Sequence, residues 1–158
     1  MMNDFVDMVC VGEGEYPLLE LVETMERGET NHSIGSIWFK ENGKIIKNEI
    51  RNTVTDLDEL PMPAKDLYYS KSTHFSKCYY IMASRGCAYS CSFCFHSYMR
   101  ELTRDKGKYL RFRSVDKVIS ELKMAKEKYN IKSIRFFDDS LGSKFSWLEE
   151  FSIKYPKS

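Results

Sequence analysis

No apolar run in the sequence approaches the ~20 residues that a bilayer-spanning helix needs. The opening MMNDFVDMVC carries Asp4 and Asp7 where a secretory signal would be basic and then apolar. These two absences lead to the expectation of a cytoplasmic protein. Charge of one sign is missing as well: 24 Lys and Arg against 23 Asp and Glu leave a formal charge of +1. That balance supplies no global field to attract nucleic acid or an anionic membrane. The one local bias is Arg100 to Arg113, with six basic and two acidic residues; of its two readings, the lining of a site for an anionic group and a solvated loop, the second is expected. Repeats and low-complexity segments are absent too. An even cysteine count is also lacking. The five cysteines, three of them clustered, suit metal ligation better than a disulfide framework. What remains is a chain of 158 residues, 42% hydrophobic, long enough for a packed domain of ordinary size.

Read along the chain, FVDMVCVGEGE predicts a short buried strand, Phe5 to Val11, running into a turn at Gly12 and Gly14. A helix follows, with Pro17 in its first turn, Leu18, Val22 and Met25 on one face, and Gly28 at its exit. No earlier segment pairs with that strand, so its partners are expected from another chain or from preceding residues. Asn42-Gly43 between two extended runs predicts a hairpin, because a type I′ turn needs positive φ at both central residues. In TDLDELPMPAKDLYY, Pro61 and Pro63 exclude regular helix, and the acidic residues point to a solvated, ordered linker. Cys78 to Ser84 reads as a strand. Ser114 caps a helix whose apolar positions are Val115, Val118, Ile119, Leu122 and Ala125, and Asn130 ends it in a left-handed turn. IKSIRFFDDS is a second strand ending at Asp138-Asp139, and KFSWLEEFSIKY is the next helix. Strand, loop, helix, strand, loop, helix is the order of parallel α/β architecture.

The chemistry is concentrated in SRGCAYSCSFCFHSYM, where Cys87, Cys91 and Cys94 have the spacing C-x3-C-x2-C. In parallel α/β folds the loops after the strands carry the chemistry. Both this loop and Asp138-Asp139 follow strands, so they are expected at one mouth. Three ligands are one short of the four that structural zinc or a cubane iron–sulfur cluster takes. His96 is a possible fourth ligand for zinc, although zinc sites usually show two separated ligand pairs. Plain burial suits Cys10 and Cys78. It explains three cysteines in a loop rich in Gly, Ser and Tyr poorly. A [4Fe–4S] cluster with three thiolate ligands and one uncommitted iron is the third reading.

The cysteine motif, with aromatic Phe93 before its last cysteine, resembles the signature of the radical S-adenosylmethionine (SAM) superfamily. VGEGE, DLDELPMPAKDL, SRGCAYSCSFC, YLRFRSVDKVISEL and IRFFDDS occur in the order and approximate spacing seen in the superfamily's cobalamin-binding class. Ala88 and Val115 depart from that pattern, where the class commonly has proline. The resemblance implies that Cys87, Cys91 and Cys94 bind three irons and that SAM chelates the fourth. Reduction then cleaves SAM to methionine and a 5′-deoxyadenosyl radical. It places Phe93 near the adenine, and Asp138 or Asp139 at the SAM amino group. An alternative for the two aspartates is a helix N-cap and a solvated turn. Arg85 and Gly86 are expected to shape the loop. The resemblance also implies an electron donor such as a flavodoxin or ferredoxin, and a small-molecule substrate.

The implied fold is α/β: a remnant of a Rossmann-like domain, then the first two to three βα units of a partial (βα)6 TIM-like barrel. The implied domains are residues 1–30 for the end of the cobalamin domain, 31–76 for a hairpin and linker, and 77–158 for the start of the radical SAM domain. At ~30 residues per βα unit, six units need ~190. The segment from Tyr79 to Ser158 has 80 residues. The sequence is therefore expected to be an internal fragment of a longer enzyme, inactive alone and weak in holding a cluster. None of His32, His74 or His96 sits in the context of a cobalt-ligating histidine. The implied reaction is methyl transfer or oxidative cyclisation. The rival readings are a metal-binding module without catalysis and an inactive remnant.

Overall fold

The computed structural model describes residue 3 and residues 5–71 and 77–157. His74 lies outside the described residues. The chain divides into two compact units, one of residues 1–54 and 99–108, the other of residues 55–98 and 109–158.

In the first unit, strand β1 (Met8–Cys10) leads through Gly12, at φ +95°, into helix α1 (Glu15–Glu26). Gly28, at φ +69°, closes the helix, with its N–H on the Met25 carbonyl (2.9 Å). Strands β2 (Ile37–Glu41) and β3 (Lys44–Ile46) form the expected hairpin. Its turn has positive φ at both Asn42 and Gly43. One expectation is corrected here. β1 has a partner within this chain, because it pairs antiparallel with β2 in the order β1-β2-β3. The hairpin returns to the strand that precedes it, which a search for upstream partners misses.

The small core of this unit is Ile34, Ile37 and Phe39, with Cys10, Leu21 and Ile46 against it. Leu18, Val22 and Met25 share a face of α1 as expected, but that face is exposed. The amide of Asn48 bonds the carbonyls of His32 (2.7 Å), Ile34 (3.1 Å) and Ile37 (2.8 Å) and so organises the turn before β2.

The second unit opens with a short turn at Leu57–Glu59 and helix α2 (Asp66–Tyr69). Strand β4 (Cys78–Ile81) follows. Three residues on, strand β5 (Ser84–Arg85) leaves that line. Helix α3 (Phe95–Leu102) comes next, with residues 95–98 in this unit and 99–102 in the first, then strand β6 (Arg111–Phe112), which returns antiparallel to β5. Helix α4 (Val115–Tyr129), strand β7 (Ser133–Phe136) and helix α5 (Phe145–Lys154) complete the unit. β7 lies parallel to β4, from Cys78 opposite Ser133 to Ile81 opposite Phe136. Strand β4, helix α4 and strand β7 thus form the expected β-α-β crossover, with the cysteine loop and α3 as an excursion within it.

α4 shows why the sequence was readable here. Ser114 accepts a hydrogen bond from the Lys117 N–H (3.1 Å), satisfying a first-turn donor. Asn130 adopts the left-handed conformation at φ 51°. Val115, Val118, Ile119, Leu122 and Ala125 are all buried, against Tyr79, Ile81, Ala83 and Trp147. The segment 100–113 is the solvated loop expected from its charge only in its middle, where 104, 105, 107 and 108 are exposed. Arg100 lies in α3, Arg111 is buried in β6, and Arg113 bonds a buried carboxylate. Charge count alone does not show that a ribbon strand carries Arg111 inward and that Arg113, just beyond it, meets a buried carboxylate.

Candidate functional site

The C-terminal ends of β4 and β7 meet through Asp138. Its carboxylate accepts the Ala83 N–H at 3.0 Å on both oxygens, and also the Ser84 hydroxyl. The two loops therefore emerge at one end of the parallel pair, as the strand order required. Asp138 ties the end of β7 to the corner where the chain passes from β4 to β5. It caps that corner rather than a helix.

The cysteine loop begins at Gly86, where φ is +84° and a Cβ would lie 2.4 Å from the carbonyl oxygen of Tyr109. Only glycine fits such an approach, because a side chain would be driven into the opposite backbone. The C-x2-C portion is a turn, with the Cys94 N–H on the Cys91 carbonyl (3.0 Å). The same carbonyl accepts the Ser97 hydroxyl (2.8 Å). Helix α3 follows Cys94 directly. Cys87 is buried, Cys94 half-buried and Cys91 exposed, and no cysteine is in a disulfide. Three thiols on one loop are the right donors for an iron–sulfur cluster. They are not drawn together: among the described residues no group of three or more His, Cys, Asp or Glu side chains is arranged to hold a metal ion.

Phe93 projects from this loop at 92% exposure. An apolar ring held in water is a candidate platform for a planar ligand. His96 is the opposite case, 6% exposed. Its Nδ1 shares a hydrogen bond with the Tyr109 hydroxyl. Its Nε2 lies 3.1 Å from the Asp139 carboxylate, off the line a good hydrogen bond needs. Both ring nitrogens thus face partners inside the fold. A zinc site that uses His96 would have to break these contacts. The two aspartates therefore differ: Asp138 is occupied by two donors, the Ala83 N–H and the Ser84 hydroxyl, while Asp139 faces His96.

Sequence reasoning missed the strongest electrostatic feature of this unit. Glu121 has no exposed surface. Its Oε1 accepts the Tyr79 hydroxyl (2.7 Å) and Lys65 Nζ (2.9 Å), and Arg113 Nη2 forms an ion pair with Oε2 at 2.7 Å, off hydrogen-bonding line. Lys65 also donates to the Tyr80 carbonyl (2.6 Å) and stands over the Tyr79 ring, 4.1 Å from its centroid. Burial alone would raise the Glu121 carboxyl, but the hydrogen bonds from Lys65 and Tyr79 and the nearby charges hold it below its ordinary range. Burial and that carboxylate together push the Tyr79 phenol up. The signal was present in the sequence, since Glu121 falls at helical spacing between Val118 and Ala125. Thus Lys65 from the proline-containing linker and Arg113 beyond β6 are tied to the helix that backs the site. Asp58 adds to this by accepting the Ser114 N–H (3.1 Å on both oxygens).

No family model matches the chain. An uncharacterized methyltransferase of Pyrococcus horikoshii is 36% identical over 140 residues, covering 85% of this chain and 28% of the relative. The chain thus spans between a quarter and a third of that protein's length. Among solved structures, the cobalamin-dependent SAM radical enzyme OxsB, with aqua-cobalamin and SAM bound, superposes with a TM-score of 0.66 at 26% identity. That match covers 95% of this chain and 20% of OxsB. The radical SAM methyltransferase TsrM of Kitasatospora setae shares the fold, with a TM-score of 0.66 at 16% identity, over 96% of this chain and 30% of TsrM. The chain resembles, over nearly its whole length, a segment of the cobalamin-dependent radical SAM enzymes.

Proposed function

We propose that this chain is part of a radical SAM enzyme of the cobalamin-binding class, with Cys87, Cys91 and Cys94 as the ligands of a [4Fe–4S] cluster. The observation that carries the proposal is the placement of C-x3-C-x2-C at the C-terminal end of a parallel β-α-β unit, beside the end of β7. The likeness to OxsB supports it. A cluster held by these thiolates, once reduced by an external electron donor, would supply the electron that cleaves SAM. The chain's own residues supply position. Gly86 and the β5–β6 ribbon close the base of the loop, and Phe93 offers a face for the adenine. Asp138 fixes the mouth, and Asp139 is the carboxylate nearer the loop's second stem through His96. Gathering three thiols about a cluster requires the loop between Gly86 and Cys94 to rearrange while these stems hold.

In this proposal residues 1–30 correspond to the end of a Rossmann-like cobalamin domain, residues 31–76 to the hairpin and linker, and residues 77–158 to the start of a partial (βα)6 barrel. The longer enzyme would use cobalamin and a flavodoxin- or ferredoxin-like electron donor, and would transfer a methyl group or cyclise its small-molecule substrate oxidatively. No helix among the described residues is long and apolar enough to cross a membrane, and a cytoplasmic setting would keep the thiols reduced. Anaerobic reconstitution with iron and sulfide tests the proposal. A SAM-induced change in the reduced cluster's EPR spectrum supports an open iron. Uptake of zinc in preference to iron, or an EPR spectrum indifferent to SAM, refutes it.

A further inference from the structure

The cysteine loop is attached to the fold at two stems. The first is the β5–β6 ribbon with Gly86 against Tyr109. The second is the start of α3, immediately after Cys94. The second stem has no β-ladder, and one buried side chain stands in its place. His96, two residues from Cys94, reaches back to Tyr109 through Nδ1 and faces Asp139 through Nε2. Tyr109 leads into β6, and Asp139 follows β7. One imidazole therefore joins the start of α3 to the returning ribbon and to the end of the parallel pair. Phe95 packs on the same ring, with centroids 4.2 Å apart. A buried imidazole with polar neighbours on both sides costs stability unless it is held in register. Nothing about packing alone calls for a histidine at that point.

We infer that His96 is a positioning residue for the cysteine loop: through Tyr109 and Asp139 it fixes where Cys94 stands relative to the end of β7. The inference deepens the cluster proposal and rests on it for its purpose, but the geometry it asserts belongs to the chain without a cluster. It also gives Asp139 a role of its own, holding His96.

The test is pulsed alkylation of the five thiols in the full, cluster-free chain under anaerobic conditions, with each site read by mass spectrometry. His96→Phe keeps an aromatic ring and removes both nitrogens. It is expected to speed alkylation of Cys94 about tenfold, the effect of losing roughly one buried polar tether. Cys10 and Cys78 should react at the wild-type rate. Asp139→Asn, which leaves Tyr109 in place, should give a smaller rise at Cys94. Combined with His96→Phe it should add little, because both act through one contact. His96→Asn, which keeps a polar atom facing Tyr109, should restore part of the protection. An unchanged Cys94 in His96→Phe, or an equal acceleration at all five cysteines, overturns the inference. In chain loaded with iron and sulfide, His96→Phe should alter the EPR line shape of the reduced cluster, and an identical spectrum counts against the inference. If the wild-type chain takes up no iron, the cluster proposal fails, and the alkylation pattern still decides the role of His96.

Discussion

Glu121→Gln changes almost no volume and removes one charge from the centre of the second unit. Glu121 is wholly buried, and Lys65 and Arg113 beside it are 19% and 14% exposed at their side chains. The substitution leaves two largely desolvated cations without their counter-charge. It also turns an acceptor for two donors, Lys65 and Tyr79, into an amide that must present its own N–H groups. Removing one partner of a buried ion pair costs about 3–5 kcal/mol. A single domain has only about 5–15 kcal/mol in total. For a domain of ~100 residues, a loss of ~3 kcal/mol lowers Tm by roughly 12–24 °C. Urea unfolding followed by Trp147 fluorescence, in a Trp38→Phe background, reads this unit, because Trp147 lies in its core. Acid provides a second arm. The folded Glu121 carboxyl is held below its ordinary value. Its contribution is therefore present above about pH 4.3, the unfolded value, and is lost as pH falls through the lower folded value. The Gln variant should lack that part of the acid limb. A cost below about 1 kcal/mol, with an unchanged acid limb, would show that the cluster is solvated and would refute the reasoning.

Other outcomes follow from single residues. Gly86→Ala should cost about 1–3 kcal/mol from its positive φ alone and more from the contact with the Tyr109 carbonyl, read as a lower urea midpoint. Ser114→Ala should cost about 1 kcal/mol through the lost cap of α4. Asn130→Ala should cost about 1–2 kcal/mol in thermal melts because its left-handed conformation disfavours a Cβ, whereas Asn130→Gly should be close to neutral. Phe93→Ala should leave stability within about 0.5 kcal/mol, since the ring is exposed, while weakening retention of SAM by the iron-loaded chain in equilibrium dialysis. Equal retention would remove Phe93 from the site.

Local signals carried much of the fold. Helix α4 was legible from cap to cap because Ser114, the apolar spacing and Asn130 all agree. The Asn42-Gly43 turn was legible because few residues accept positive φ in succession. α3 was not, since its eight residues mix His, Ser, Tyr, Arg and Glu around a one-turn apolar signal, and tertiary contacts through His96 hold it. The antiparallel pairing of β1 escaped because register between distant segments leaves no local mark. At the site, the cysteine spacing and the shared end of β4 and β7 were readable, but the division of labour between Asp138 and Asp139 was not. Adjacent carboxylates look alike in sequence and are told apart only by what surrounds them. The buried cluster of Lys65, Tyr79, Arg113 and Glu121 was missed for the same reason, because charges in a chain of balanced composition read as surface.

The ligand assignment is tested most directly by cysteine-by-cysteine reconstitution. Cys10, Cys78, Cys87, Cys91 and Cys94 are each changed to Ala, and iron and acid-labile sulfide are measured per chain after anaerobic loading. The assignment predicts that iron and sulfide are taken up in about equal amounts. Cys87→Ala, Cys91→Ala and Cys94→Ala should each lose that uptake, while Cys10→Ala and Cys78→Ala keep it. Uptake that survives loss of any of the three loop cysteines, or that depends equally on Cys10 or Cys78, contradicts it.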